Sequence, residues 1–471
     1  MKPHSITEIA QWAQAEIRLD PSLHDPDRTM AKGVSIDTRT MTAGEIFMPI
    51  IGEKMDGHRF LATAFEKGAA AAFIDRDHLD LVDDFKDKIF LLVDDTLEAF
   101  QTLAANYRKS LDVLVIGVTG SNGKTTTKDI LASVLTRKFR TVKTIGNLNN
   151  EIGVPRTLLD LDESTEMAII EMGMSDFGEI DTLVKMARPH IAIITNVGQS
   201  HLNQLGSQEN IAKAKMEIVN GMGPDDLLIY NRDSSFLAHE VDRRKASAEG
   251  LLPRTLSFGQ DPQADSSLSL TRSNEGGSSF TLGGEPFSVN LLGSYQMYNA
   301  AAAILCAKEL GLDEATIQAG LQVTDQTKMR SELIHAQGFD ILVDCYNSSP
   351  QSLREALHTT KVLAGYRKKI AILGDMLELG PMEKKIHFDI GQEIDPEVFS
   401  DVLFFGPLSK YMMEGASLRF RDNHLFWFSK KSDLVDRAKT LIEPASLVLV
   451  KASRALRLEE IVESIKQRTA Q

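Results

Sequence analysis

The stretch that decides the fold is Val113–Leu131, "VLVIGVTGSNGKTTTKDIL". It reads as an apolar strand, a glycine-containing turn and a helix that begins at Lys124. A strand that delivers Gly120, Ser121, Asn122 and Gly123 into a helix start aims backbone N–H groups and the positive end of the helix dipole at one spot. That spot suits a triphosphate, with the Lys124 side chain on its terminal phosphates and the Thr125 hydroxyl on Mg²⁺. The strict GxxxxGK[ST] spacing fails by one residue, because Val118 occupies the first glycine position and Gly117 precedes it.

Outward from this turn the chain separates into three blocks. From Leu111, strands such as "MAIIEMG", "HIAIITNV" and "DDLLIYN" alternate with helices such as "GEIDTLVKMA" and "ENIAKAKMEIVNG". This alternation implies a mostly parallel sheet covered on both faces. Between about Thr255 and Gly293, short alternating strands with "EGG" and "LGGEP" turns predict an antiparallel annex, closed by the helix "YNAAAAILCAKELG". A second strand and helix series follows Thr324, and residues 1–107 hold short strand-like pieces. The expected architecture is α/β in three domains. Residues 1–107 form a small N-terminal α/β domain, 108–323 a central P-loop domain and 324–471 a C-terminal Rossmann-like α/β domain.

Composition bounds the function. The formal net charge of −14 disfavours nucleic acid as the main partner. Any anionic ligand therefore has to meet a local cluster of Lys, Arg and backbone N–H groups. Only two cysteines occur, Cys306 and Cys345, so neither a disulfide framework nor a CxxC metal signature is present. The opening segment lacks a signal-peptide core, and no later run approaches the ~18 apolar residues of a membrane span. The expected location is the cytoplasm.

Glu171 ends the strand "MAIIEMG" at the carboxyl edge that also carries the P-loop, where open α/β sheets bind ligands. Taken alone, an acid at a strand end is more often a solvated rim residue. His201 lies just beyond the strand "HIAIITNV", in reach of a metal or phosphate by the same topology, although a loop histidine is often only that.

The segments "GVTGSNGKTTT", "NLNNEIGVPRTLL", "EMGMSDFGEID", "NVGQSHL", "AKAKMEI", "DCYNSSPQSLREAL", "ILGDMLELG" and "KASRALRLE" occur in this order. Together they resemble the Mur ligases of peptidoglycan synthesis over nearly the whole chain. "GDMLELG" and the "DxYNxxPxS" pattern resemble the member that adds D-alanyl-D-alanine to UDP-N-acetylmuramoyl-tripeptide. "SIDTRTMTAGEIFMPIIGEKMDGHRF" resembles the segment that holds the UDP-sugar. The resemblance implies an ATP-dependent amide ligase that works through an acyl phosphate with two Mg²⁺ ions, as a monomer.

By the same resemblance Lys124, Glu171, His201 and Lys215 are catalytic, and Thr125, Glu171, His201 and Lys215 serve the metals. Lys215 would act as a carbamate. On pattern alone it is an ordinary solvated lysine of an amphipathic helix. Thr119 to Thr125, Asn231, Asn299, Arg330 and Asp344 are implied to bind ATP. Ile36 and Thr38 are implied around the uridine, Asn149 and Asn150 in the central cleft, and Asp375, Glu378 and His387 at the dipeptide site. Capping chemistry explains Asn150 and Asn299 about equally well.

The chain departs from the family pattern at Tyr295 and Gln296, where His and Asn are usual, and at Asn203, Ser349 and Ala452. Two readings of other kinds stand beside this one, a P-loop ATPase switch and a non-catalytic scaffold that keeps the fold, and within the enzyme class the rival is another amide ligase of the same fold, such as folylpolyglutamate synthase. The latter lacks the N-terminal sugar-nucleotide domain.

Overall fold

The strand Leu114–Thr119 is buried on both faces, and its side chains alternate between two cores. Val115 joins Ala168, Ile170, Ala192, Ile194 and Leu228 on one side. Ile116 and Val118 join Ile169, Ile191, Ile193 and Ile229 on the other. A period of two with apolar residues at both phases is what a parallel sheet under two helical layers requires. A computed structural model describes residues 1–52, 54–247, 252–421 and 423–467 of this chain, and no helix in it is long and apolar enough to cross a membrane.

Among the described residues the central sheet has nine strands. In order across the sheet they are Thr141–Lys143, Met167–Glu171, Leu114–Thr119, Ile191–Ile194, Leu227–Asn231, Arg254–Gly259, Ser266–Asn274, Gly277–Leu282 and Glu285–Val289. The annex differs from the sequence expectation. Arg254–Gly259 runs parallel to Leu227–Asn231, and Ser266–Asn274 continues the same sheet through a short parallel contact. Only the last two pairings are antiparallel. The Asp265 carboxylate fixes this join by accepting both the Ser257 amide, at 2.8 Å, and its hydroxyl, at 2.6 Å.

The P-loop helix, Lys124–Leu135, packs on the alanine-rich helix Gln296–Glu309, where Ala300 to Ala303 leave room for Ile130, Leu131 and Val134. The N-terminal domain has a five-stranded sheet in the order Glu16–Arg18, Phe90–Val93, Ala71–Asp75, Ile46–Phe47 and Val34–Ser35. Among the described residues the C-terminal domain has a six-stranded sheet. Its Ser446–Lys451 strand lies between Asp340–Val343 and Lys368–Gly374, which places the late "KAS" segment at the centre of the carboxyl edge.

Candidate active site

The turn after Leu114–Thr119 has a shape that only glycine permits at two positions. Gly120 has φ 148°, and a Cβ there would lie 1.9 Å from Thr195 Oγ1. Gly123 has φ 81°, and a Cβ there would lie 2.3 Å from Asn299 Oδ1. The amides of Ser121 and Asn122, expected to face phosphate, instead donate to the Asn196 carbonyl and to Asn196 Oδ1, each at 3.0 Å. They dock the turn onto the loop after Ile191–Ile194, whose Gly198 N donates back to Ser121 Oγ at 2.8 Å. The amides of Gly123, Lys124, Thr125 and Thr126 find no acceptor among the described residues. These are the donors that a helix start leaves for an anion.

Around this cradle the charged candidates converge. Glu171, 2% exposed, accepts from Thr125 Oγ1 at 3.2 Å and from Asn149 Nδ2 at 2.9 Å, both on Oε1. Its Oε2 is buried and accepts no hydrogen bond among the described residues, with the Lys128 ammonium 3.5 Å away as an ion-pair partner. A buried carboxylate oxygen left open in this way fits a hard cation, whose preferred ligands are oxygens.

Lys124 is half-buried and donates to the Gly120 carbonyl at 2.6 Å. Burial lowers its pKa, and Arg330 adds to this while Glu171 opposes it. Lys215 ends the helix Gln208–Lys215 and is 1% exposed, and its amine has no hydrogen-bond or ion-pair partner among the described residues. Burial, with the charge of Lys124, pushes its pKa well below that of an ordinary lysine. An unpaired ammonium is costly in such a place, so the environment favours the neutral amine.

His201 has a left-handed backbone, φ 61°, and its Nδ1 lies 2.8 Å from Glu378 Oε2 of the C-terminal domain without the alignment of a full hydrogen bond. Glu378 is also left-handed, φ 65°. Its contact with His201 lowers its carboxyl pKa, outweighing burial. Two non-glycine residues held in this region, at about 1–3 kcal/mol each, face one another across the domain boundary.

A cavity of about 430 Å³ opens beside the cradle, lined from both domains by Lys124, Thr125, Asn231, Tyr295, Arg330 and Asp344 among others. Asn231 turns its Oδ1 onto the Asp233 amide at 3.0 Å, which leaves its Nδ2 for the cavity. Asn299 is committed within the fold: it accepts from Thr127 Oγ1 at 3.3 Å and donates to Gln296 Oε1 at 2.8 Å. Arg330 stacks 4.2 Å over the Tyr346 ring, reaches Thr125 Oγ1 at 3.4 Å and keeps its buried Nε without an acceptor among the described residues. Asp344 is held by Lys451 Nζ at 2.6 Å and by the Ser331 amide at 3.2 Å. Tyr295, at a departure from the family pattern, bonds to Ser331 Oγ at 2.6 Å, and Ser349 donates to Asn122 Oδ1 at 3.1 Å. These contacts bind the C-terminal domain to the P-loop domain.

The remaining candidates divide. Asn149 joins the site through Glu171, whereas Asn150 caps a turn by accepting from Gly153 N at 2.9 Å. Ile36 and Thr38 lie in the N-terminal domain, and neither borders the cavity. Thr38 is 8% exposed and its carbonyl takes Lys67 Nζ at 2.5 Å.

Asp375 is buried, accepts from Ser409 N at 2.6 Å and borders a separate crevice with Lys410, Trp427 and Lys431. His387 does not face a cleft, contrary to expectation. It has no exposed surface, its Nδ1 donates to the Glu383 carbonyl at 2.7 Å and its Nε2 accepts from Met376 N at 2.9 Å. With both nitrogens committed, its role is to pin the "GDMLELG" loop to its helix.

Asp56, His58 and His78 bring ligand-type atoms together in the N-terminal domain. The two rings stack at 4.0 Å and 9°, so their in-plane lone pairs do not converge. Asp56 contacts both rings, His58 Nδ1 at 2.8 Å and His78 Nε2 at 2.9 Å, and Asp75 meets His78 Nδ1 at 2.6 Å.

Three family models match the chain in sequence: "Mur ligase family, catalytic domain" over residues 31–108, "Mur ligase middle domain" over 118–307 and "Mur ligase, glutamate ligase domain" over 329–454. The chain belongs to the Mur ligase family. Among its relatives, the UDP-N-acetylmuramoyl-tripeptide--D-alanyl-D-alanine ligase of Bacillus subtilis is 41% identical over 93% of this chain and 94% of its own length. Among solved structures, MurF from Acinetobacter baumannii superposes with a TM-score of 0.88 at 28% identity, covering 99% of this chain and 100% of that one. MurF ligase from Thermotoga maritima in complex with ADP gives 0.78 at 28% identity, covering 92% and 97%.

In this Mur ligase the sequence reading missed Lys128, Lys451 and Tyr346. Lys128 lies four residues after Lys124 on one helix face, a spacing that could have marked it. Lys451 ends the strand beside that of Asp344, so sheet order, which the sequence does not print, was needed to find it.

Proposed function

We propose that this Mur ligase joins D-alanyl-D-alanine to the terminal carboxylate of UDP-N-acetylmuramoyl-tripeptide while ATP is cleaved to ADP and phosphate. The observation that carries the reading is the near full-length match to relatives named for that reaction. The open amides at the helix start, with Lys124 and Arg330 beside them in a chain of net charge −14, support it.

In the proposed mechanism the tripeptide carboxylate attacks the γ-phosphorus of ATP, and ADP leaves. The dipeptide amine then adds to the acyl carbon, forming the C–N bond of a tetrahedral intermediate; the nitrogen loses its proton and the acyl C–O bond to phosphate breaks, releasing phosphate. Two anions must meet, and each ~4 Å like-charge contact costs several kcal/mol in a partly dry cleft. Lys124 and Arg330 lie where they would offset that charge, and the amides of Gly123 to Thr126 would orient the phosphates without reorganising.

Thr125 and Glu171 would hold one Mg²⁺, and His201 with carbamylated Lys215 a second. The metals would supply further positive charge between the reacting anions. Asp344, fixed by Lys451, is suited to a ribose hydroxyl, and Asn231 to the base. Residues 1–107, with Ile36 and Thr38, would bind the UDP-sugar, 108–323 the ATP, and 324–471 the dipeptide. The crevice of Asp375, Lys410, Trp427 and Lys431 offers both charges that a zwitterionic dipeptide needs. The enzyme would work in the cytoplasm as a monomer.

Phosphate release tests this reading. It should require UDP-N-acetylmuramoyl-tripeptide and D-alanyl-D-alanine together, and release that is indifferent to either compound defeats it.

A further inference from the structure

The segment 324–331 links the central and C-terminal domains, and it is tied to the P-loop helix by a carboxylate that the mechanism above does not use. Asp129 is 1% exposed. Its Oδ2 accepts twice from one linker residue, from the Thr327 amide at 2.9 Å and the Thr327 hydroxyl at 2.7 Å. Its Oδ1 accepts from Lys143 Nζ at 2.8 Å and lies 3.8 Å from Lys128 Nζ. Lys128, which has no exposed surface, reaches Glu171 Oε2 at 3.5 Å. Glu171 holds Thr125, and Thr125 is met by Arg330 of the same linker at 3.4 Å. The contacts therefore form a closed circuit: Thr327, Asp129, Lys128, Glu171, Thr125 and Arg330.

The backbone between the two linker ends of this circuit is held in an uncommon shape. Met329, φ 62°, and Ser331, φ 49°, both left-handed, flank Arg330. Met329 N donates to Glu332 Oε2 at 3.0 Å, Ser331 N donates to Asp344 at 3.2 Å, and Gln326 Nε2 donates to the Arg330 carbonyl. Left-handed non-glycine residues persist only where their surroundings over-determine them. An ion pair with Lys143 alone would compensate Asp129. Giving a whole carboxylate oxygen to the amide and hydroxyl of one residue fixes both the position and the rotamer of Thr327, and so the start of the turn that presents Arg330.

We propose that Asp129 and Thr327 form a latch that sets the linker so that Arg330 faces Thr125 and the nucleotide phosphates. Both are positioning residues that act through Arg330, and the inference rests on the nucleotide site proposed above. Opening the latch lowers the fraction of chains whose Arg330 is in place, and the apparent nucleotide affinity falls by that fraction.

The test is calorimetric titration of the full chain with Mg·ADP and with a non-hydrolysable ATP analogue, which needs no turnover. Wild type, Thr327→Val, Thr327→Ser, Arg330→Ala and the Thr327→Val/Arg330→Ala double variant are compared. Thr327→Val, which keeps the shape and loses the hydroxyl, should weaken analogue binding by about tenfold. Thr327→Ser should restore it to within about twofold, and Thr327→Val should add nothing once Arg330 is gone. Should Thr327→Val fail to fold, Thr327→Ala replaces it in the same cycle. Wild-type affinity in the folded Thr327 variant, or an effect that adds in full to that of Arg330→Ala, overturns the latch alone. A wild-type chain that binds neither nucleotide overturns the latch and the proposed function together.

Discussion

Replacing Gly123 with alanine tests the cradle at its tightest point. The residue sits at φ 81°, and the new Cβ would be 2.3 Å from Asn299 Oδ1 and 3.2 Å from Asn299 Cγ. Asn299 cannot simply withdraw, because it is 4% exposed and its carboxamide is bonded to Thr127 and Gln296. The left-handed backbone costs an alanine about 1–2 kcal/mol. Moving Asn299 forfeits hydrogen bonds worth about 1 kcal/mol each. The total is about 3 kcal/mol. If the turn keeps its shape, the cost appears as a fall in Tm of roughly 6–12 °C, at about 2–4 °C per kcal/mol for a domain of this size. If the turn relaxes instead, the amides of Lys124 and Thr125 swing off the phosphate site and nucleotide affinity falls by about 100-fold. Thermal melting and nucleotide titration of the same variant capture both routes, and Asn299→Ala added to Gly123→Ala should recover the part due to the clash. A Gly123→Ala chain that melts within about 1 °C of wild type and binds nucleotide within about twofold would refute the reasoning.

Lys215→Met should raise stability at pH 7 and abolish ligation. The folded pKa of Lys215 is depressed, so between that value and about 10.4 the unfolded chain binds the extra proton, wild-type stability rises with pH, and the variant's advantage closes by about pH 10.4, as urea midpoints at pH 7 and pH 9.5 would show. Burial opposes protonation of His78, but Asp75 and Asp56 outweigh it and raise its pKa, so its contribution is full below about pH 6.5 and is lost as pH rises through the folded value. The stability gap between wild type and His78→Asn should therefore be wider at pH 6 than at pH 8.5. Lys451→Met leaves Asp344 without its cation and should cost about 3–5 kcal/mol by chemical denaturation, part of which Asp344→Asn restores.

The sequence carried the parts of this molecule that local chemistry determines. The turn from Gly120 to Gly123 was legible because a strand, two backbone positions that exclude a Cβ and a Lys-Thr helix start are consecutive in the chain. The parallel sheet followed from apolar strands alternating with helices. The destinations of individual polar atoms were not legible. Ser121 and Asn122 amides face Asn196 because the next strand's loop lies against them, and only tertiary structure reveals that. His387 carries the same sequence signal whether it lines a cleft or joins two backbone groups in a core, and burial decided for the core. Lys128 and Asp129 carry no sequence signal that separates them from solvated helix residues; packing buries both and brings the half-buried Thr327 of the linker against Asp129.

Transfer of oxygen tests the central claim most directly. UDP-N-acetylmuramoyl-tripeptide carrying ¹⁸O in its terminal carboxylate would be turned over with ATP and D-alanyl-D-alanine, and the released phosphate examined by mass spectrometry. Attack of that carboxylate on the γ-phosphorus predicts phosphate with one labelled oxygen for each amide bond formed; phosphate without label would contradict the account.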